Sequence, residues 1–326
     1  MRLLKLQLTI LGTMGLLIGL STLIFSIILV MLGGTYNIWL IVGLVGIFHI
    51  FQWIYGPKMV EKMYKVRELK KTDKIRNVDG QWIYDTVDRI CKSTNMQVPK
   101  IMYSDIAIPN AFAYGSPKYG NRISITQGLF NIPNIELEEI EAIIGHEIGH
   151  LKNKDVQVMM VASFLPAILT MIGHSLIWSS LFNRRNSGGT LAIAFAAIIG
   201  AFILNLVCMS LGRRREDYAD MHAIQHVPDG GRKLQEGLVK IAEHTEGLRV
   251  KKHKDMKISG FNALMISDPD SSHKDIVSLQ KSKIKLSDRE LVEKYAKKEI
   301  SSKEHLLELL STHPNITKRL KSLGKK

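Results

Sequence analysis

The sequence predicts a mainly α-helical membrane protein with four transmembrane helices and a polar domain that contains a small β-sheet. The 326 residues are 46% hydrophobic and 23% charged, as in many soluble proteins, but the charges are segregated. Residues 6–57, 156–183 and 186–212 contain no Asp, Glu, Lys or Arg. Uncharged stretches this long, rich in Leu, Ile, Val and Gly, exclude a soluble protein, and their apolar content excludes a disordered chain.

Four apolar segments account for the predicted membrane part. A helix needs about 20 apolar residues to cross a hydrocarbon core of about 30 Å. The first segment is too long for a signal-peptide core and is followed at once by the second, so we expect it to be retained. The four predicted spans are approximately residues 8–32, 36–55, 156–182 and 190–212, which pair into two hairpins.

The distribution of Lys and Arg predicts that both polar segments face the cytoplasm. Basic residues cluster before the first span, after the second and after the fourth, as they do on the cytoplasmic side of membrane proteins. Arg184 and Arg185, in the loop of the second hairpin, go against this rule. The predicted organisation is a transmembrane hairpin in residues 1–57, a first polar part in 58–155, a second hairpin in 156–212 and a second polar part in 213–326, with both termini cytoplasmic.

The formal net charge of +14 fits a membrane partner better than a nucleic acid. Cytoplasmic segments beside anionic lipid head groups are usually basic, and no basic motif interleaved with aromatic residues is present. The expected non-protein partner is therefore the lipid bilayer, and no nucleic acid is expected. The two cysteines, Cys91 and Cys208, are too few for a disulfide framework.

The polar segments are expected to form one domain that is mainly helical. Residues 123–126, Ile-Ser-Ile-Thr, alternate with the period of a β-strand. Asn134 is predicted to cap a helix whose first turns carry Glu136 and Glu139. Residues 251–285 show no sustained period and are predicted to be a loop region.

The helix that begins near Asn134 ends in a candidate metal-binding motif. Residues 146–150 read His-Glu-Ile-Gly-His, and histidines four residues apart share one helix face with Cβ atoms about 6 Å apart. Both imidazole rings can therefore reach one tetrahedral metal ion such as Zn²⁺. Glu147 is rotated by about 100° from His146, which favours general-base catalysis on a water molecule over metal ligation.

The third metal ligand is expected from a separate helix, because residues 153 and 156 lack the Gly and His that a third histidine on the same motif requires. His150 lies about 9 Å before the third span and Glu216 about 6 Å after the fourth, measured along an α-helix. The two spans form an antiparallel hairpin, so both motifs emerge at nearly the same depth and Glu216 is the predicted ligand. Asp220 is predicted to accept the second ring N–H of a ligand histidine, with a helix salt bridge as the alternative.

Four segments of the chain, in order, resemble one protein family. They are residues 109–113 (Pro-Asn-Ala-Phe-Ala), residues 145–155 around the His-Glu-Ile-Gly-His motif, residues 215–220 (Arg-Glu-Asp-Tyr-Ala-Asp), and residues 311–314 (Ser-Thr-His-Pro) followed by Arg319. Together with the four predicted spans, they resemble the HtpX-type membrane zinc metallopeptidases, which are relatives of the type I CAAX prenyl protease. The resemblance covers essentially the whole chain.

The resemblance implies a zinc-dependent integral-membrane endopeptidase with a cytosolic, zincin-like catalytic domain. One Zn²⁺ per chain would be held by His146, His150 and Glu216, with Glu147 as the catalytic base. The resemblance also implies a heat-shock protease in the plasma membrane of a prokaryote. Its polypeptide substrates would be misfolded membrane or cytosolic proteins, which it cleaves in quality control.

Two more of the resembling segments are expected at the site. Asn110, Ala111 and Phe112 are expected to form a strand that pairs with the substrate backbone, with a plain core strand as the alternative. His313 and Arg319 are candidates for contacts to the tetrahedral oxyanion or to the metal. The alternative for these two residues is a helix cap and a surface arginine.

A membrane scaffold or adaptor with a structural metal site is the competing hypothesis from another class. A structural zinc site usually has four protein ligands, whereas three are predicted here, and a structural site has no need of Glu147. A permanent fourth ligand at His313 would favour the scaffold. A transporter is disfavoured, because neither inverted repeats nor polar clusters within the spans are present in the sequence.

Overall fold

The computed structural model describes residues 38–182, 187–251 and 287–325. The predicted first span at residues 8–32 lies outside this part of the chain. The predicted loop region at residues 251–285 also lies outside the described residues, except for residue 251. The chain divides into two compact units. The described residues 38–52 and 160–208 form an apolar unit, and residues 53–159 and 209–325 form a polar unit.

The described residues form helices and short strands in an irregular order. The helices are α1 (Ile38–Met63), α2 (Gly80–Ser93), α3 (Gln127–Phe130), α4 (Leu137–Lys152), α5 (Asp155–Phe182), α6 (Ser187–His226), α7 (Gly230–Lys251), α8 (Asp288–Lys297), α9 (Ser302–Leu309) and α10 (Ile316–Leu323). The strands are β1 (Val66–Glu68), β2 (Lys74–Ile75), β3 (Val78–Asp79), β4 (Lys100–Ser104), β5 (Ala111–Ser116) and β6 (Gly120–Thr126).

Two of the described helices are long and apolar enough to cross a membrane, over Asp155–Ser180 and Gly188–His226. They contain the predicted third and fourth spans. Most of the predicted second span lies in α1, which is not among the two helices that are long and apolar enough to cross a membrane. The presence of four spans therefore stays a prediction. Measured against the described part of the chain, large apolar side chains of the three helices of the apolar unit are exposed, as on a lipid-facing surface: Phe48, Phe51, Val161, Leu165, Phe195, Ile199, Phe202 and Val207.

Small residues let α5 and α6 pack closely within the apolar unit. An added Cβ at Gly173 would lie 2.6 Å from Cγ1 of Ile198 and 3.0 Å from the carbonyl oxygen of Ala194. Ala194 and Ala201 of α6 are themselves buried. Small side chains at helix contacts are typical of membrane helix pairs, in which van der Waals packing replaces the hydrophobic effect.

The polar unit contains a four-stranded sheet in the order β1-β4-β6-β5. β4 and β6 are parallel, and the two outer pairs are antiparallel. The predicted strand at residues 123–126 is confirmed as the second half of β6. β5 lies at one edge of this sheet, next to the helix that carries the metal-binding motif.

The core of the polar unit lies where α4 meets the sheet, α2 and α7. Full burial of one such aliphatic side chain contributes about 1.5–3 kcal/mol, so α4 is fixed mainly by its apolar face. The largest fully buried side chains include Ile83 and Ile90 of α2, Ile101, Ile123 and Ile125 of the sheet, Ile140, Ile143, Ile144 and Ile148 of α4, and Leu234 of α7.

The predicted cap of α4 is wrong by two residues. The N-cap is Glu136, and its backbone N–H donates to Oε2 of Glu139 at 2.8 Å in a capping box. Asn134 instead adopts a left-handed conformation with φ of 58°, which asparagine tolerates better than most residues. The side chain of Glu139 therefore satisfies the free donor at the helix start, and Asn134 serves the turn that precedes it.

Candidate active site

Close packing of α4 against α6 brings the metal-binding motif to its predicted third ligand. Gly145 and Gly149 face α6 on the side of α4 next to the histidines. An added Cβ at Gly149 would lie 2.9 Å from Cα of Ala219, and one at Gly145 would lie 2.6 Å from Cγ2 of Val227. Only residues without a side chain permit this approach, which places Glu216 of α6 beside the two rings.

The ligand atoms of three candidate residues converge at this contact: one nitrogen of each histidine and the two oxygens of Glu216. Nε2 of His146 lies 3.1 Å from Nε2 of His150. Oε2 of Glu216 lies 3.6 Å from the first nitrogen, and Oε1 lies 3.4 Å from the second. Ligand atoms about 2.0–2.1 Å from a tetrahedral Zn²⁺ are about 3.3 Å apart, so the triangle has the size this ion requires. Two imidazoles and a carboxylate are also a donor set that zinc accepts.

The carboxylate of Glu216 is prepared to bind a cation. Its Oε2 is buried and makes no hydrogen bond, although Nη1 of Arg319 lies 3.3 Å away. Burial raises the pKa of Glu216, but the charges of His313 and Arg319 lower it more, so the net pKa lies well below its ordinary value. The side chain is therefore ionised and retains an unbonded oxygen at the place where the two imidazoles meet.

Each histidine of the motif is oriented by a carboxylate on its other nitrogen. Nδ1 of His146 lies 2.9 Å from Oδ1 of Asp220, and Nδ1 of His150 lies 2.6 Å from Oδ2 of Asp155. A ring that donates through Nδ1 keeps Nε2 unprotonated, as metal ligation requires. Arg215 contacts the other oxygen of Asp155 and so holds this carboxylate in place.

Arg319 is buried within the site. Its Nε donates to Oδ2 of Asp220 at 2.9 Å and its Nη2 to Oδ1 at 2.5 Å, which is a bidentate arrangement. Nη2 also lies 3.1 Å from the ring nitrogens of His146. The surface-arginine alternative is therefore wrong, since only 4% of this residue is exposed. Arg319 supplies a positive charge to a pocket in which Glu216 and Asp220 are both ionised.

Glu147 has the surroundings of a proton-transfer group. It is only 3% exposed, and the backbone N–H of Ala113 in β5 donates to its carboxylate. Burial raises the pKa of Glu147 to about 7, and the nearby charge of Glu216 adds to the rise while His150 opposes it. A carboxyl group that titrates near neutrality can both accept a proton and return it.

The structure separates the roles of the three residues predicted as a substrate strand. Asn110 precedes β5 and accepts a hydrogen bond from the backbone N–H of Thr126 in β6 at 3.0 Å. The backbone groups of successive residues point to opposite sides, so those of Ala111 and Ala113 point away from β6 toward the open edge of the sheet. The hydrogen bond from Ala113 to Glu147 lies on that edge.

Phe112 belongs to a small aromatic core. It is 3% exposed, and its ring centroid lies 4.9 Å from that of Tyr64 and 5.5 Å from that of Tyr114. Its side chain therefore fixes β5 to the rest of the polar unit and is not available to a substrate. Ala111 is the member of the predicted strand whose backbone faces outward.

His313 lies beside the third candidate ligand. Its Nδ1 is 3.1 Å from Oε1 of Glu216, and this nitrogen makes no hydrogen bond. The segment that carries it follows α9, and Arg213 holds that end of α9 by donating to the carbonyl oxygens of Glu308 and Ser311. The C-terminal segment thus brings both His313 and Arg319 to the α4–α6 contact.

Several residues that shape the site were not expected from the sequence. Asp155 was missed because its role depends on a chain reversal just after α4. Buried His222 donates from Nδ1 to the carbonyl oxygen of Gly145 at 2.8 Å, and burial lowers its pKa to about 4. The signal for the helix contact was present: Gly145 and Gly149 share the four-residue spacing of Ala219 and Ala223.

The chain is similar to known proteases over most of its length. The model of Peptidase family M48 matches residues 77–326. Protease HtpX homolog of Thermoplasma acidophilum is 30% identical over 86% of this chain and 82% of its own length. Protease HtpX homolog 2 of Sulfurisphaera tokodaii is 31% identical over 86% and 83%. The crystal structure of S. mikatae Ste24p shares the fold, with a TM-score of 0.54 and 16% identity, covering 98% of this chain and 67% of that chain.

A helix bearing the His-Glu-x-x-His motif, an edge strand beside it and a glutamate from a second helix define a metallopeptidase, and the two long apolar helices fit a membrane protein. The chain belongs to Peptidase family M48 and is a membrane metalloprotease of that family. The resemblance drawn from the four sequence segments is thereby confirmed. The scaffold hypothesis is not favoured, because the relatives are proteases.

Proposed function

We propose that this chain is a zinc-dependent endopeptidase that holds one Zn²⁺ per chain through His146, His150 and Glu216. The observation that carries the proposal is the triangle of 3.1, 3.4 and 3.6 Å between their ligand atoms, with Glu147 beside it. When bound, zinc polarises the scissile carbonyl and lowers the pKa of water to about 7.

In this proposal, Glu147 moves the proton of the reaction. Its carboxylate accepts a proton from the attacking water, whose oxygen bonds to the scissile carbonyl carbon. As the C–N bond breaks, Glu147 returns that proton to the leaving amine. Its burial and its pKa of about 7 support both halves of this transfer, because neither protonation state is strongly disfavoured at neutral pH.

The open edge of β5 is proposed to bind the substrate backbone. An extended peptide that pairs with Ala111 and Ala113 would add a strand to the sheet. The Ala113 N–H already donates to Glu147, so the edge and the base are in direct contact. Asn110 and Phe112 would act indirectly, by holding β5 against β6 and the aromatic core.

The remaining predicted residues are assigned by what they touch. Asp220 orients His146, and Arg319 positions Asp220 and compensates the charge around Glu216. His313, next to Glu216 and without a hydrogen bond on Nδ1, is the candidate for a contact to the developing oxyanion. Arg319 is therefore a positioning residue in this proposal.

The proposed topology is the one that the sequence predicts. Four spans form hairpins in residues 1–57 and 156–212, and residues 58–155 and 213–326 form a cytoplasmic catalytic domain. The division of the described chain into an apolar and a polar unit supports this organisation. The basic flanks of the spans support the cytoplasmic orientation, and the prokaryotic sources of the HtpX homologues support a location in the plasma membrane.

The proposed substrates are misfolded membrane or cytosolic polypeptides, cleaved during heat stress in membrane quality control. The similarity to proteins named as HtpX homologues supports this assignment. Backbone pairing at a strand edge also fits such substrates, because it binds any extended chain with little demand on side-chain identity.

The central experiment is Glu147→Gln, assayed for zinc content and casein cleavage by the detergent-purified protein. We expect one zinc per chain and no cleavage. Glu141→Gln is the matched control, because Glu141 lies on the same helix and pairs with Arg89 at 2.7 Å outside the site. It should retain both zinc and cleavage. Cleavage at the wild-type rate by Glu147→Gln would remove the proposed base.

Topology is tested by cysteine labelling of intact cells in a background without Cys91 and Cys208. A membrane-impermeant reagent should modify a cysteine at Ser187, in the loop of the second hairpin, and spare one at Ser301. Labelling at Ser301 alone would invert the proposed orientation.

A further inference from the structure

The amphipathic helix α9 has an apolar face that no other described residue of the chain covers. Leu306, Leu309 and Leu310 are 62%, 52% and 49% exposed, and their spacing of three and four residues places them on one side of the helix. A contiguous group of exposed leucines is unusual on a water-facing surface and marks a contact with a partner or a membrane.

The position of α9 along the chain indicates which partner covers this face. Residues 186–212 carry no charge, and Arg213 is the first charged residue of α6 beyond them. Arg213 donates from Nη1 to the carbonyl oxygens of Glu308 at 2.9 Å and Ser311 at 2.7 Å. The end of α9 is therefore tied to α6 at the residue where the apolar stretch ends.

A second contact places the end of α9 beside the same part of α6. An added Cβ at Gly212 would lie 3.3 Å from the carbonyl oxygen of Thr312, so the backbone just beyond α9 packs directly on α6. The interfacial layer of a bilayer is only about 5–8 Å thick on each side. Leu309 directly follows Glu308, one of the residues held by Arg213, and so lies within this layer when α6 spans the membrane.

The local charge favours lipid over water or a basic protein. Arg213 is followed by Arg214, whose side chain is exposed, whereas Arg215 is paired with Asp155 and Lys318 with Glu308. Basic side chains at this level attract anionic head groups, while leucines on an adjacent face insert at the boundary with the acyl chains.

We propose that α9 is an interfacial membrane helix whose leucines 306, 309 and 310 dip into the bilayer beside the end of α6. This docking would hold the segment that follows α9, which carries His313 and Arg319, at a fixed height above the membrane. The inference rests on the part of the proposed function in which α6 spans the bilayer, and it is independent of zinc binding and proteolysis.

The test places a nitroxide spin label at Leu309→Cys in the full chain, reconstituted into nanodiscs of zwitterionic and anionic phospholipid. Cys208 is replaced by Ala, whereas Cys91 can stay because its thiol is fully buried. Accessibility to oxygen, which concentrates in lipid, is compared with accessibility to a water-soluble nickel chelate. Phe202→Cys on α6 is the lipid-facing reference and Glu293→Cys on α8 is the aqueous reference.

We expect the oxygen-to-nickel ratio at Leu309 to exceed that at Glu293 severalfold and to approach that at Phe202. Leu306→Cys, on the same face, should give the same result and guards against a folding defect at one position. A water-like ratio at Leu309 with a lipid-like ratio at Phe202 would overturn the proposal for α9 and leave the proposed span of α6 standing. Water-like ratios at both would overturn the proposed span as well. Protection of Leu309 from both reagents would assign the face to a protein partner and reject the bilayer.

Discussion

Among the described residues of the polar unit, two groups of side chains converge closely enough to hold a metal ion, yet they differ in the charges that surround them. His146, His150 and Glu216 form one group, and a second consists of three carboxylates whose oxygens also lie within 4.8 Å of one another. The second group is Glu139 of α4, Glu236 of α7 and Asp288 of α8.

The second group already contains its cation. Nζ of Lys240 lies 2.6 Å from Oε1 of Glu139 and 3.0 Å from Oδ2 of Asp288. Lys233 and Arg232 pair with Glu236. Each of the three carboxylates therefore has a basic side chain beside it, although Lys233 and Arg232 are shared with Glu136 and Asp229.

The first group leaves its ligand atoms facing one another. Nδ1 of each histidine is directed to a carboxylate, so the two Nε2 atoms and Oε2 of Glu216 face one another, and the nearby cation of Arg319 is already paired with both oxygens of Asp220. Convergence alone thus does not identify a metal site. The distribution of protons and compensating charges around the converging atoms separates a binding site from a buried ion-pair cluster.

Among the variants that test this difference between the two groups, Glu216→Ala is expected to have the largest effect on zinc content and cleavage. Loss of the third ligand should remove zinc from the purified protein and abolish cleavage. Glu236→Ala, in the other group, and Asp217→Ala, next to Glu216, are matched controls that should keep one zinc per chain. Atomic absorption together with a peptide-cleavage assay measures both quantities. Zinc loss in Asp217→Ala with retention in Glu216→Ala would reverse the assignment.

Lys240→Met should produce the opposite pattern. It leaves the fully buried carboxylate of Glu139 without its cation, which costs about 3–5 kcal/mol of stability, while zinc content stays at one per chain. Denaturant unfolding of the detergent-solubilised protein gives the free energy. Adding Glu139→Leu to Lys240→Met should restore part of the loss, because it removes the uncompensated charge but also the hydrogen bond that caps α4. A zinc-free Lys240→Met protein that remains folded would show that the clusters are not separate.

Gly149→Ala tests how tightly the ligand triangle depends on helix packing. The new Cβ would meet the backbone of Ala219 at 2.9 Å, so the helices must separate, at a cost of about 1–3 kcal/mol, and zinc affinity should fall with stability. Gly237→Ala in α7 is the control, because the atoms nearest to its Cβ belong to side chains, those of Ile143 at 3.1 Å and Glu139 at 3.5 Å, and not to the backbone. Alanine also favours the helix there, so its stability should be unchanged or higher. Equal zinc affinity in both variants would contradict the packing argument.

The smallest effect is expected from Asp155→Asn. The amide still occupies the position beside Nδ1 of His150 but no longer stabilises the ring by charge, so zinc affinity should fall about 10–100-fold without loss of the fold. Competition with a chromophoric chelator measures this change. Asp229→Asn, which breaks only an exposed pair with Arg232, should leave the affinity unaltered.

Local spacing in the sequence was sufficient for the centre of the site. The interval between His146 and His150 and the matched depths of His150 and Glu216 are properties of helices and spans, and both can be read along the chain. Asp220 followed for the same reason, because one helical turn separates it from Glu216. The structure brings these side chains together as those spacings require.

Contacts that form only because the chain turns back on itself could not be predicted from the spacing of residues along one helix. Asp155 reaches His150 only because the chain turns between α4 and α5, and Arg319 reaches Asp220 across most of the polar unit. The start of α4 was misplaced for a related reason. Asn134 and Glu136 are both acceptable caps by residue type, and the side chain of Glu139 decides between them.

The glycines that press α4 against α6 also have a consequence for metal selectivity. Close contact at these glycines sets the short separation of the two helices, and any widening of the ligand triangle to hold a larger ion would break that packing. Ca²⁺ takes 6–8 oxygen ligands at about 2.3–2.6 Å, and Mg²⁺ requires an octahedral shell of oxygens. Cu²⁺ binds nitrogen more strongly than Zn²⁺ but prefers a tetragonal arrangement that a rigid triangle of this size does not offer. Discrimination among ions present together in a cell would then reside in two residues that carry no side chain at all.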